Sequence, residues 1–425
     1  MRKVENVILK GNICYSQDSK NLIIEENSFL VCEDGKSAGV FREIPEKYCD
    51  FEVRDYGECL IVPGCVDLHL HAPQFAFRGF AMDLELLEWL DTVTFPEEAR
   101  FSDLEYANRA YQMFADTMKK SATTRAVIFG TIHTEATICL MDWMEATGLK
   151  TYVGKVNMDQ NCPEMLRESS GKSVEATKRW ISRVEGAYQN VKPILTPRFI
   201  PSCSGQLLEG IADLQRQYHL PVQSHLSENP NEISWVHELY PDTQCYGEAY
   251  EKYGLFGENG NTVMAHCIYS DEKELELMKK RGVWIAHCPQ SNMNLSSGIA
   301  PVRTYLERGM KIGLGTDMAA GFSESIFRAM GEAVQMSKMR WRLVDQSQPP
   351  LKLEEAFFLG TKGGGSFFGK VGSFEKGYEM DAIVLNDAKL PYPHALSVRQ
   401  RLERMIYLSD DRHIQAKYVC GSQIF

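Results

Sequence analysis

Short apolar runs recur through the middle of the chain, separated by segments whose apolar positions repeat every three or four residues. The runs 60–69, 124–131, 151–158, 194–200, 221–227, 262–267, 283–288 and 311–317 read as strands buried on both faces. Between most of them lie helical patterns, at 173–189, 205–218, 271–281 and 301–308. Eight strand–helix alternations predict an α/β fold, a parallel (β/α)8 TIM barrel. The two ends read differently. Residues 7–10, 21–24, 28–32 and 37–43 are short strand patterns divided by turns, and so are 381–385, 405–408 and 416–424. Neither end is long enough for a core of its own. The pattern therefore predicts one small β-sandwich built from both ends, 1–63 with 368–425, around a barrel at 64–367. No internal repeat, low-complexity tract or disordered linker interrupts it.

In such a barrel, chemistry sits at the C-terminal ends of the strands, and titratable residues cluster there. Strand one ends in Pro63-Gly64-Cys65-Val66-Asp67-Leu68-His69-Leu70-His71. Alternate strand residues share a face, so His69 and His71 point the same way and can hold one metal ion. Strand four ends in Thr196-Pro197-Arg198-Phe199 and strand five in His225-Leu226-Ser227-Glu228. Strand six ends in His266, strand seven in His287 and strand eight in Asp317. His133 follows strand two, whereas His219, His237, His394 and His413 fall away from strand ends and read as surface or packing.

Composition narrows the class. The chain has 425 residues, 44% of them apolar, and a net charge of −11. No Lys/Arg block stands out, which argues against nucleic acid as a partner. The 12 cysteines are scattered with no Cys-x-x-Cys pair, the pattern of reduced thiols in a cytoplasmic protein. Residues 1–10 lack the apolar core of a signal peptide, and no run of 18 apolar residues predicts a membrane span. No Gly-x-Gly-x-x-Gly or phosphate-binding Gly-x4-Gly-Lys-Ser/Thr motif occurs, so no organic cofactor is expected. The zinc-binding motif Pro-Cys-x-x-Cys is also absent.

With Pro63-Gly64-x-Val66-Asp67-x-His69-x-His71, His225, His266 and Gly315-Thr316-Asp317 in place, the chain resembles the metal-dependent amidohydrolases over almost its whole length. A narrower set resembles the guanine-deaminating branch of that family: His71-Ala72-Pro73-Gln74, Thr196-Pro197-Arg198-Phe199, His225-Leu226-Ser227-Glu228 and His287-Cys288-Pro289-x-Ser291-Asn292. The resemblance implies that His69, His71, His225 and Asp317 hold one divalent metal, with Zn2+ expected and Fe2+ the alternative. Imidazole and carboxylate donors suit both. A second metal would need a bridging ligand at the end of strand four, where Arg198 cannot ligate. The alternative reading of Asp317 is an N-cap of the next helix.

The resemblance further implies hydrolytic deamination of guanine to xanthine and ammonia. Activated water attacks C2, Glu228 protonates the adjacent ring nitrogen, and Asp317 and His266 hold the water. A carboxylate so placed can shuttle protons. The alternative readings are a helix-start glutamate for Glu228 and a core histidine for His266. Gln74 offers amide donors and an acceptor to the lactam edge of a purine, and Arg198 offers a donor fork to a carbonyl oxygen. Phe199 packs on a ring face or fills the core. Two rival functions stay open. One is the same hydrolysis of another amino- or halo-heterocycle, of adenosine or triazine type; the other is a non-catalytic barrel scaffold. The family also implies a homodimer.

Overall fold

The computed structural model describes residues 6–425. Its central strands run parallel and in ring order. Cys65–His71, Thr123–Phe129, Lys150–Gly154 and Val191–Pro193 form one four-stranded group. Val222–Leu226, Thr262–His266, Trp284–His287 and Lys311–Leu314 form another. Leu195 bridges in parallel to Val222, joining the groups on one side. On the other side the Asp317 N–H donates to the His69 carbonyl at 2.8 Å, and the His71 N–H donates to the Met318 carbonyl at 2.9 Å. The result is a TIM-barrel-like α/β fold. Its strands are buried on both faces because helices cover the outside: all seven residues of Thr123–Phe129 are buried.

Helix Gly205–Tyr218 shows how the covering layer forms. Leu207, Leu208, Ile211, Ala212 and Leu214 make its buried stripe, and the Ser204 hydroxyl accepts the Leu207 N–H at 3.2 Å as an N-cap. The helix expected at 173–189 runs instead over Ser170–Val184. Gly186 adopts a left-handed φ of 70° just beyond it and turns the chain away.

Strands from both chain ends share one seven-stranded mixed sheet. Val7–Ser16 pairs antiparallel with Leu22–Glu33 and parallel with Glu52–Pro63, which pairs antiparallel with Ala382–Leu385 from the far end. Ile414–Val419 and Ser422–Gln423 complete that flank. The pairing joins strands from both chain ends in one continuous sheet. Residues 405–408, expected as a strand, are the last turn of helix Val398–Leu408. Val398, Leu402, Met405 and Ile406 form its buried stripe, and Ser397 with Gln400 makes its capping box. The four apolar residues carry no period alone; the polar turns before them supply it.

The run 60–69 also divides. Glu52–Pro63 belongs to the terminal sheet and Cys65–His71 to the barrel. Gly64 makes the step: a Cβ there would sit 2.2 Å from Thr124 Oγ1, and its N–H donates to the Asp381 carbonyl at 3.0 Å. Arg125, at the base of the second barrel strand, donates through Nε to Asp381 Oδ2 at 2.6 Å and ties sheet to barrel. Among the described residues no helix is long and apolar enough to cross a membrane.

Candidate active site

The strand-end residues converge at one mouth of the barrel. His69 and His71 leave the same face of the first strand, with ring centroids 4.9 Å apart, and His225 meets His69 at 4.8 Å. The Nε2 atoms of His71 and His225 are 3.3 Å apart. Asp317 Oδ1 lies 3.2 Å from His69 Nε2 and 3.5 Å from His71 Nε2. His266 Nε2 lies 3.7 Å from Asp317 Oδ2 and 3.4 Å from Glu228 Oε2.

Neighbouring groups set these orientations. His225 Nδ1 is 2.7 Å from the Arg198 carbonyl, which only accepts, so Nδ1 carries the proton and Nε2 presents its lone pair to the cluster. His266 Nδ1 meets Asn292 Oδ1 at 2.9 Å, which directs its Nε2 toward Glu228 and Asp317. Asp67, buried under the His-x-His strand, accepts the His69 N–H, the Thr316 N–H and the Thr316 hydroxyl at 3.2, 3.0 and 2.6 Å. It pins the first strand to the segment carrying Asp317. Ser227, His266 and Asp317 all have positive φ, at 48°, 72° and 48°. Such conformations cost non-glycine residues about 1–3 kcal/mol each and gather at functional sites.

Burial and mutual charge set the protonation states. Desolvation holds His69 below its ordinary pKa, and His71 and His225 well below, so all three are neutral ligands in waiting. Burial opposes ionisation of Asp317 too, but its contacts with His69 and His266 outweigh it and hold its pKa well below the ordinary carboxylate range. Burial raises Glu228 to about 7, with His266 opposing and Glu232 and Asp317 adding. For His266, burial is outweighed by Glu228 and Asp317, which raise its pKa.

The His69, His71 and His225 donor atoms, and separately those of His69, His266 and Asp317, lie within 4.8 Å of one another. His69 Nε2 is buried without a hydrogen-bond partner. An orphaned imidazole nitrogen among neutral imidazoles and one ionised carboxylate is the donor set of a divalent transition-metal site, so these residues fit a metal.

A cavity opens beside this cluster. His71, Gln74, Arg198, Phe199, His225, Glu228, His266 and Asp317 line it, together with Leu86, Trp89 and Leu295. Phe199 sits edge-on to Trp235, with centroids 6.3 Å apart. Gln74 Oε1 accepts the Ala319 N–H at 3.2 Å. All the expected site residues therefore reach one cavity wall or the cluster behind it. Neither alternative placement occurs: Asn229 caps helix Pro230–Leu239, leaving Glu228 turned to the cavity, and Ser325, not Asp317, caps Ile326–Leu343.

His287 is buried with both ring nitrogens unpartnered, and burial lowers its pKa to about 3. His133 precedes helix Thr134–Thr147 and lies off the cavity wall. His219, His237 and His394 are exposed, and His413 packs with its Nδ1 3.2 Å from Asp410.

Two residues had not been expected. Glu232 Oε2 accepts the N–H groups of Glu228 and Asn229 at 3.1 and 3.4 Å, fixing the turn that aims Glu228. The capping-box spacing Asn229-Pro230-x-Glu232 was the available signal. Glu98, on the short helix Phe95–Ala99, accepts from both Gln74 and Arg198, and no motif announced it.

Three histidines and a carboxylate at the strand ends of such a barrel, beside a cavity, define a metal-dependent hydrolase, and the chain belongs to the Amidohydrolase family, which matches residues 60–424. Within that family the chain is similar to guanine deaminases at 30% identity or more. The chain is 37% identical to the guanine deaminase of Mus musculus over 432 residues, 98% of this chain and 92% of that one. It is 32% identical to the guanine deaminase of Dictyostelium discoideum over the whole of both. The structure of the guanine deaminase from C. acetobutylicum, with guanine bound in the active site, superposes with a TM-score of 0.95 at 47% identity, covering 98% and 99% of the two chains.

Proposed function

We infer that the protein is a guanine deaminase, which hydrolyses guanine to xanthine and ammonia. The observation that carries this reading is the placement of Gln74 and Arg198 on the wall facing the histidine–aspartate cluster. Their donors and acceptor match a lactam edge, and the cluster behind them suits hydrolysis. His69, His71, His225 and Asp317 hold one divalent ion, Zn2+ or Fe2+. When bound, that ion supplies Lewis acidity toward water.

The remaining steps belong to the chain. Gln74 and Arg198 bind the base through its C6 carbonyl edge and present C2 to the cluster, while Phe199 packs beside the ring. The Asp317 carboxylate and His266 Nε2 hold the attacking water. Glu228 takes a proton from it and delivers the proton to the ring nitrogen next to C2, so the ring accumulates no charge. A second proton transfer to the 2-amino group lets ammonia leave and restores the carbonyl. A pKa near neutrality suits Glu228 to both directions of transfer.

Residues 1–63 with 368–425 are assigned to the terminal sheet domain and 64–367 to the hydrolase barrel. The family resemblance supports a homodimer, which sedimentation would test. Ammonia release from guanine, with and without a chelator, tests the function. Release lost on chelation and restored by Zn2+ or Fe2+ is expected; no release from the metal-loaded chain overturns the reading.

A further inference from the structure

Glu98 lies behind the cavity wall, and both residues assigned to the substrate lean on it. Arg198 donates through Nη1 to Oε2 at 2.6 Å and through Nη2 to Oε1 at 3.2 Å. Gln74 Nε2 donates to Oε1 at 2.7 Å. The three side chains are 2–4% exposed. Glu98 itself is absent from the cavity lining, so it acts through the other two.

The contacts fix more than position. An ionised carboxylate accepts only, so it orients the Gln74 amide with nitrogen toward Glu98 and oxygen toward the Ala319 N–H. One amide proton and one lone pair remain for a ligand, along with the guanidinium protons that Glu98 does not take. The second consequence is electrostatic. A lone buried guanidinium attracts anions strongly, whereas a forked Arg–carboxylate pair is neutral overall.

This matters because substrate and product differ in acidity. Guanine is a neutral lactam, and exchanging its 2-amino group for a carbonyl gives a dione that loses a proton more readily. We propose that Glu98 is a positioning and charge-compensating residue, which holds Gln74 and Arg198 in register for a neutral lactam and prevents the pocket from retaining anionic oxopurines, its own product included. The proposal rests on the guanine-deaminating reading of the site.

Glu98→Gln tests it. The substitution keeps the size, removes the charge and turns amide protons toward donors. Misplaced reading groups should lower kcat/KM for guanine about 10- to 100-fold, with KM raised and kcat lowered. Inhibition at neutral pH by urate, an anionic oxopurine, and by hypoxanthine, a neutral one, gives the decisive readout. Freed of its partner, Arg198 should tighten urate about tenfold relative to hypoxanthine. A residue needed only for folding would weaken both together. Glu98→Asp keeps the charge with a shorter reach, so it should lower kcat/KM while leaving the urate-to-hypoxanthine ratio as in the wild type. The proposal is overturned if Glu98→Gln leaves kcat/KM unchanged, or if both inhibitors weaken in parallel. Where Glu98→Gln does not fold, wild-type protein binding urate more tightly than hypoxanthine overturns it. Wild-type protein that releases no ammonia from guanine defeats the functional reading instead, a separate result.

Discussion

Replacing Glu228 by glutamine isolates proton transfer from everything else at the site. Glu228 is 4% exposed, Oε1 accepts the Ser297 hydroxyl at 3.0 Å, and Oε2 faces His266 Nε2 at 3.4 Å. Glutamine preserves the volume and the Ser297 contact and removes the group that exchanges a proton. With its pKa raised to about 7, Glu228 populates carboxyl and carboxylate forms side by side near neutral pH, as a shuttle requires. Loss of general acid–base catalysis lowers kcat about 10²–10⁴-fold. At about 1.4 kcal/mol per decade, that is roughly 3–5.5 kcal/mol of barrier. The sign of the pH dependence follows. The shuttle begins as the carboxylate, so wild-type kcat/KM rises as pH rises through the Glu228 pKa, above the ordinary carboxylate range. In Glu228→Gln that limb disappears. The assay is steady-state ammonia release across pH, with metal content measured on the same samples. Metal near one per chain with a 10²-fold or greater loss of kcat is expected. A near-normal kcat refutes the shuttle, and a loss of metal alongside activity places Glu228 among the ligands.

Four further outcomes are expected. His69→Ala combined with His71→Ala should abolish metal binding, and full occupancy by elemental analysis would sink the ligand assignment. Arg198→Ala should lower kcat/KM for guanine by orders of magnitude with metal retained, and Lys should rescue only in part because it lacks the planar fork. Wild-type protein should turn over adenine roughly 10⁴-fold less well than guanine, because a donor-only side chain meets an amino group at C6; equal rates would refute that role. Asp67→Asn should weaken metal affinity about 10–100-fold, the cost of disturbing a group that supports the ligands, as measured by chelator competition.

The barrel was legible because its strands are short apolar runs between periodic helices, and because reactive residues stood at the same end of strand after strand. The His-x-His spacing needed only the period of a β-strand. What escaped the sequence has physical causes. Residues 405–408 are a helix because the burial stripe begins at Val398, outside the apolar run that suggested a strand. The break at Gly64 comes from a close approach to Thr124, a contact between distant positions. Glu98 is one acidic residue among 57 and sits on a five-residue helix; only its burial against Gln74 and Arg198 distinguishes it. Glu232, by contrast, stood in a capping box that could have been read.

The seam between the first and last barrel strands has a bearing on how the protein is made. Asp67 and Thr316, which clasp there, are 249 positions apart. The proposed metal ligands are divided in the same way, with His69 and His71 synthesised early and Asp317 late. A nascent or truncated chain ending before residue 311 carries the three proposed imidazole ligands without Asp317, and it lacks the Thr316 partner that clasps Asp67. Closing so long a loop is the slow, entropically opposed part of assembling such a topology. With the proposed ligand set split across this seam, the complete donor set forms only when the last strand docks against the first.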